Sequence, residues 1–161
     1  MRTAELTSAN PLREWVVAPV LGGLAGLPLA VAAVPLVVAG RAETAARAQL
    51  RVLGPGPASG RRRVLVHSLV TLVPALAAFA CAAMFVFLCF SGYLYPLRPD
   101  TVQAVAHPFS EDPGLDEAWG GPTLAGAWLV HALVALAIQA VCVLALRPVH
   151  AVQARVARKY L

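Results

Sequence analysis

The stretch RRRVLVHSLVTLVPALAAFACAAMFVFLCFSGYLY (61–95) decides how this chain folds. Arg61, Arg62 and Arg63 are followed by 32 residues, Val64 to Tyr95, that carry no Asp, Glu, Lys or Arg. A helix crosses the hydrocarbon core of a bilayer with about 20 apolar residues, so this run crosses with length to spare. It must tilt, kink at Pro74 or project past the lipid. Tyr93 and Tyr95 stand at the far end, where amphipathic rings favour the headgroup level.

Working outward, two more apolar stretches appear, Val16–Ala39 and Leu124–Leu146, and the loops between the three differ in charge. Between the first and second lie Arg41, Arg47, Arg51 and the triple arginine, against Glu43 alone. After the third come Arg147, Arg155, Arg158 and Lys159 with no acid. Between the second and third sit Asp100, Glu111, Asp112, Asp116 and Glu117, against Arg98 alone. Positive charge stays on the cytoplasmic side of a membrane, so the basic segments are expected inside and the acidic loop outside. The predicted fold is all-α: an integral membrane bundle of three transmembrane helices plus two short amphipathic cytoplasmic helices. Its spans cover 16–39, 64–95 and 124–146, its cytoplasmic segments 40–63 and 147–161, and its extracytoplasmic loop 96–123. Residues 1–161 then form a single multi-pass domain of the cell membrane with a cytoplasmic C-terminus.

Composition narrows the function. With 59% hydrophobic and 13% charged residues, against about 25% charged in soluble domains, no segment is left to build a soluble catalytic core. The net charge of +5 comes from residues at span ends rather than on one soluble face, which argues against nucleic acid as a partner. Arg61, Arg62, Arg63, Arg147, Arg155, Arg158 and Lys159 are expected to set topology and meet lipid headgroups. Cys81, Cys89 and Cys142 all fall inside spans and read as small hydrophobes, not as a disulfide framework. The start, MRTAELTSANPLREW, lacks the pattern of a cleaved leader, so the first stretch is expected to be retained. Heavy use of Ala, Arg, Val and Pro, with one Lys among thirteen basic residues, suits a GC-rich bacterial gene.

The first stretch, VVAPVLGGLAGLPLAVAAVPLVVAG (16–40), carries Ala18, Gly22, Gly26 and Ala30 at intervals of four. In lipid such a small-residue stripe lets helix backbones approach, so it is expected to pack against another helix, in a partner or a second copy. Two paths are open: one crossing kinked by proline, or a re-entrant hairpin broken at Gly22-Gly23 with Pro19 and Pro28. RAETAARAQLRVL (41–53) reads as an amphipathic helix at the inner surface, its stripe made of Ala42, Ala45, Ala46, Gln49, Leu50 and Leu53. GPGPASG (54–60) is a breaker linker, and PVHAVQARVARKYL (148–161) reads as a second surface helix. The two surface helices echo each other, each running from a span through arginine into an Ala/Val/Arg-rich segment.

The outward loop, 96–123, holds five prolines and three glycines, with Phe109 and Trp119 as its large apolar anchors. A loop of this length without regular structure is usually functional or disordered. Within it His107, Glu111 and Asp112 are candidates for sensing pH or a divalent cation. Inside the spans only His67 and His131 are ionisable, and intramembrane ionisable groups mark function. Their depths differ by more than about 10 Å, which separates them from a shared metal. Gln139 falls near the depth of His67, so a hydrogen bond between those two is the expected polar contact. Phe90-Ser91-Gly92 with His131 does not make an intramembrane protease, because too few spans enclose it and nothing supplies an oxyanion hole. No phosphate-binding loop, dinucleotide fingerprint or paired-cysteine motif is present, so no cofactor and no metal are expected.

Leu27-Pro28-Leu29 followed by Gly40-Arg41, the segment Leu72-Val73-Pro74 through Tyr93-Leu94-Tyr95-Pro96-Leu97, and the closing Leu146-Arg147-Pro148 with His150 and Arg155 carry a family resemblance. Over residues 15–161 the chain resembles the sensor domain of actinobacterial membrane proteins, which is often found ahead of a histidine kinase. The resemblance implies a polytopic domain whose spans run into Arg/Ala-rich cytoplasmic helices, and it supplies no catalytic residues. With no kinase following in this sequence, it implies a module that acts through a partner. The expected function is a non-enzymatic sensor-like or regulatory membrane module. The alternative is a structural or accessory subunit of a larger assembly, such as a transporter or respiratory complex. Both imply the lipid bilayer and another membrane protein, or a second copy, as partners.

Overall fold

The computed structural model describes residues 10–53 and 60–161, so the readings of the 1–9 lead-in and of linker residues 54–59 lie outside it. Among the described residues no strand forms; Glu111 and Thr123 make an isolated bridge. Three helical runs are long and apolar enough to cross a membrane: Arg13–Val38, Arg61–Tyr93 and Leu124–Tyr160.

The first apolar stretch forms one helix and not a re-entrant hairpin. A π-helical turn over Arg13–Val17 leads directly into α1, Ala18–Val38. Pro19 follows the π-helical turn inside the same helical run, so it removes one backbone donor. Pro28 and Pro35 each remove one interior donor. Reversing the chain at Gly22-Gly23 would leave more backbone groups unpaired than these three prolines do, and apolar surroundings offer them no substitute.

The helix stops at Gly40, whose φ of +79° suits a residue without a Cβ. The Arg41 N–H reaches back to the Leu36 carbonyl at 2.8 Å, and the Gly40 N–H to Val37 at 3.1 Å. This paired closure satisfies carbonyls at the helix end and turns the chain around. It feeds α2, Ala42–Leu53, which packs along α1 rather than standing alone at a surface. The stripe read from the sequence faces inward: Ala45, Ala46 and Gln49 are buried, and Ala42, Leu50 and Leu53 pack beside them.

Next comes α3, Arg61–Leu88, continued by a π-helical turn over Cys89–Tyr93. The helix α4 runs unbroken through Leu124–Tyr160, so the expected end at Leu146 and a separate cytoplasmic helix do not occur. Pro148 removes a single donor inside α4. Beyond it Gln153, Ala157 and Leu161 are buried, and that packing holds the helix together. The echo between the two basic segments is therefore not structural, since one reverses at Gly40 and the other runs straight on.

The described chain gathers into two compact units. The first comprises the described residues up to Ala82 together with Ala145–Leu161, so it contains α1, α2, the start of α3 and the end of α4. Its core joins Ala33, Val37, Ala45, Ala46, Val64, Ala157 and Leu161, mostly short side chains that admit close helix contact.

The second unit, Ala83–Leu144, holds the end of α3, the π-helical turn, the acidic loop 96–123 and the start of α4. Expected to be irregular, the loop instead folds through short 3-10 turns at Tyr95–Leu97, Val102–Ala106 and Pro113–Leu115. Tyr95, Ala104, Leu115, Leu124 and Ala127 form its core. Local bonds pin the turns: the Thr101 hydroxyl donates to the Tyr95 carbonyl at 2.8 Å, and Asp112 accepts from the Gly114 N–H at 2.8 Å. Thr123 caps α4 by accepting from the Gly126 N–H at 3.2 Å.

Candidate functional site

Buried polar side chains are costly unless paired, so their placement is informative. In the first unit Gln49, His67, Ser68, Thr71 and Gln153 are all buried. Positions 64, 67, 68, 71 and 75 lie at helical spacing on α3 and share its buried face. The hydroxyls of Ser68 and Thr71 donate to carbonyls one turn back, those of Val64 at 2.9 Å and His67 at 2.7 Å. The amide of Gln49 reaches across from α2 and donates to Ser68 Oγ at 2.9 Å. On α4, His150 Nδ1 lies 2.9 Å from the Gln153 amide oxygen. Its Nε2 donates to the Pro19 carbonyl of α1 at 2.9 Å, since a carbonyl only accepts.

The small-residue stripe of α1 is turned into this cluster over most of its length. A Cβ added at Gly22 would lie 3.2 Å from His150 Cε1, one at Gly26 would lie 3.7 Å from Gln153 Nε2, and Ala30 is buried. Ala18 is exposed. The helices that Gly22 and Gly26 meet are thus α2 and α4 of the same chain. Gly23, outside the stripe, is tighter: its Cβ would lie 2.8 Å from the Ala78 carbonyl oxygen.

A second polar cluster lies in the other unit, around Gln139. Its amide nitrogen donates to the Phe85 carbonyl at 2.9 Å and touches Cys89 Sγ at 3.2 Å, while its oxygen accepts from the Tyr93 hydroxyl at 2.7 Å. The cluster therefore grips the π-helical turn, a local geometry often found at functional sites. Nearby, His131 Nδ1 donates to the Ala127 carbonyl at 2.7 Å, and its ring stacks on Tyr95 with centroids 4.1 Å apart. Trp119 tilts toward the same imidazole at 6.2 Å, and the Arg98 guanidinium lies 5.2 Å over Tyr95. Gly92 sits where a Cβ would overlap that of Ala135.

Several expected contacts are replaced. The hydrogen bond between His67 and Gln139 does not form: Gln139 is taken by Phe85, Cys89 and Tyr93, and neither ring nitrogen of His67 has a partner among the described residues. Tyr95 is not an interfacial belt residue but a buried core ring. His107, Glu111 and Asp112 do not converge into a cation site, and no group of metal-binding side chains does so among the described residues. Asp112 is occupied by Gly114, and Glu111 belongs to the backbone bridge with Thr123. Arg147, expected at a headgroup, lies over the Trp15 ring at 3.2 Å.

Other arginines do remain on the surface. Arg61, Arg62, Arg63, Arg155, Arg158 and Lys159 are exposed, with Arg63 donating to the Lys159 carbonyl at 3.1 Å. The helices also expose large apolar side chains, among them Val38, Val73 and Leu144. Exposed apolar side chains on helices of this length are what a lipid-facing or partner-facing helix presents.

The chain matches no family model, no curated protein and no solved structure.

Gln49, Ser68, Gln153 and Tyr93 were not singled out as site residues from the sequence. Ser68 and Thr71 do follow His67 at helical spacing, a pattern that marks one polar face. Nothing local announces that Gln49 or Gln153 meets that face, because the contact depends on how the helices turn.

Proposed function

We propose that this chain is a non-enzymatic, multi-pass membrane module that relays a signal to a partner protein through the basic end of α4. The observation that carries this reading is α4, one uninterrupted helix that contributes to both the unit with the acidic loop and the unit with the basic residues. A change at the loop end, where Tyr95 and Trp119 flank His131, has a continuous element along which to act. At the other end of the same helix Arg155, Arg158 and Lys159 are exposed, and charged rims of this kind steer and select partners. The resemblance to actinobacterial sensor domains agrees with this reading. The second reading, an accessory subunit of a larger membrane assembly, is favoured by the exposed apolar side chains Val73 and Leu144, which suit a partner helix as well as lipid.

Sidedness and partner are tested together. A cysteine at the exposed Ser110 is expected to react with an impermeant maleimide in intact cells; reaction only after permeabilisation would invert the topology. Purified from its own host in mild detergent, the full chain is expected to bring a kinase or response regulator with it. Combined Arg155→Ala, Arg158→Ala and Lys159→Ala should reduce that recovery about tenfold. Recovery of transporter or oxidase subunits instead, insensitive to the triple change, would establish the second reading.

A further inference from the structure

Within the first unit, Gln49, His67, Thr71 and Gln153 line a cavity together with apolar groups of α1, α2 and α3. The cavity is small, with room for a single water molecule. Three side-chain atoms at this place are buried without a hydrogen-bond partner among the described residues: Nδ1 and Nε2 of His67 and Oε1 of Gln49. Both residues are almost wholly enclosed, His67 at 1% exposure and Gln49 at 3%. Folded proteins leave few such atoms, and buried waters characteristically make two to four bonds to groups of this kind.

The chemistry of the wall selects the occupant. A neutral imidazole offers one donor and one acceptor, and an amide oxygen only accepts. Water answers both, accepting from a ring N–H and donating to Gln49 Oε1. A metal ion is a poor fit, because one imidazole with neutral amide and hydroxyl groups supplies no compensating charge.

We propose that this cavity is a binding site for a single water molecule that accepts from the His67 ring and donates to Gln49 Oε1, tying α3 to the α1–α2 hairpin. Gln49 already holds Ser68 through its nitrogen, so the water completes that side chain's hydrogen bonds. The site is independent of the signalling reading.

The test uses the full chain, with water itself as the probe. With histidine nitrogens labelled and the protein in lipid bilayers, magnetisation is expected to pass from bound water to a ring N–H of His67. The signal is assigned by difference from single replacements of His107, His131 and His150. No transfer at His67 overturns the proposal, whatever the variants do. In detergent, His67→Leu is expected to raise the unfolding equilibrium constant about tenfold, because the water and Gln49 Oε1 lose their partner. A dry cavity predicts the opposite sign, since the change would then remove two unpaired buried nitrogens. Unchanged or increased stability therefore also overturns the site. His67→Gln, which keeps a hydrogen-bonding group in the cavity, should recover part of the loss.

Discussion

Replacing Gly23 with leucine is expected to destroy the folded first unit. The Cβ alone would lie 2.8 Å from the Ala78 carbonyl oxygen, 2.9 Å from Ala82 Cβ and 3.2 Å from Leu146 Cδ2. The first contact is with backbone and the second with a rigid methyl, so neither can swing aside. Relief requires α1 to move away from its neighbours, which breaks the interdigitated small-residue packing that follows it to Ala33 and Val37. The expected loss exceeds about 3 kcal/mol, the upper end for overpacked sites. Thermal unfolding in mild detergent, read by size-exclusion fluorescence, should show no cooperative transition from a monodisperse peak. Gly26→Ala is the control. Its new methyl would meet Gln153 Nε2 at an ordinary 3.7 Å, and alanine favours the helix over glycine by about 1 kcal/mol. A Gly23→Leu protein as stable as the parent would show that α1 does not pack in this register.

The second large effect is expected at Gln139. Replacing it with leucine removes the bonds to the Phe85 carbonyl, the Cys89 sulfur and the Tyr93 hydroxyl at once. Only 5% of the residue is exposed, so water cannot take over freely. Hydrogen bonds between membrane helices are individually modest, and the larger part of the cost comes from the groups left unpaired. The expected destabilisation is about 2 kcal/mol. Tyr93→Phe should cost less, because Gln139 then keeps Phe85 and Cys89. In the Tyr93→Phe background, Gln139→Leu should lose less than it does alone, the mark of one connected cluster. Additive losses in the unfolding measurements would mean that the two side chains are not coupled.

These residues show where the sequence was legible. The span from Val64 to Tyr95 could be read because a long uncharged run has few soluble alternatives. The α2 stripe was equally open, since its helical period puts Ala45, Ala46 and Gln49 on one side whatever they pack against. Gly22 and Gly26 stood out as a four-residue repeat, yet the tightest of the α1 glycines is their neighbour Gly23. A repeat tells which residues share a face, but not which point on the helix a second helix crosses. Arg147-Pro148 resembled a stop signal for the same reason: proline removes one local bond, whereas the packing of Gln153, Ala157 and Leu161 is invisible along the chain. His67 and Gln139 matched in estimated depth, but depth counted along separate helices leaves their rotation undetermined.

The amino-acid sequence by itself determined three membrane-length apolar helices, the charge of each loop and the residues that share the apolar stripe of α2. Those properties follow from hydropathy, period and turn chemistry within single segments. Only the tertiary structure decided that α1 is one helix reversing at Gly40, that its Gly22 and Gly26 are covered by α2 and α4, and that Gln139 holds the π-helical turn while His67 faces a cavity. Each of these depends on helix rotation and crossing point, which are set by the summed packing of side chains far apart in the chain.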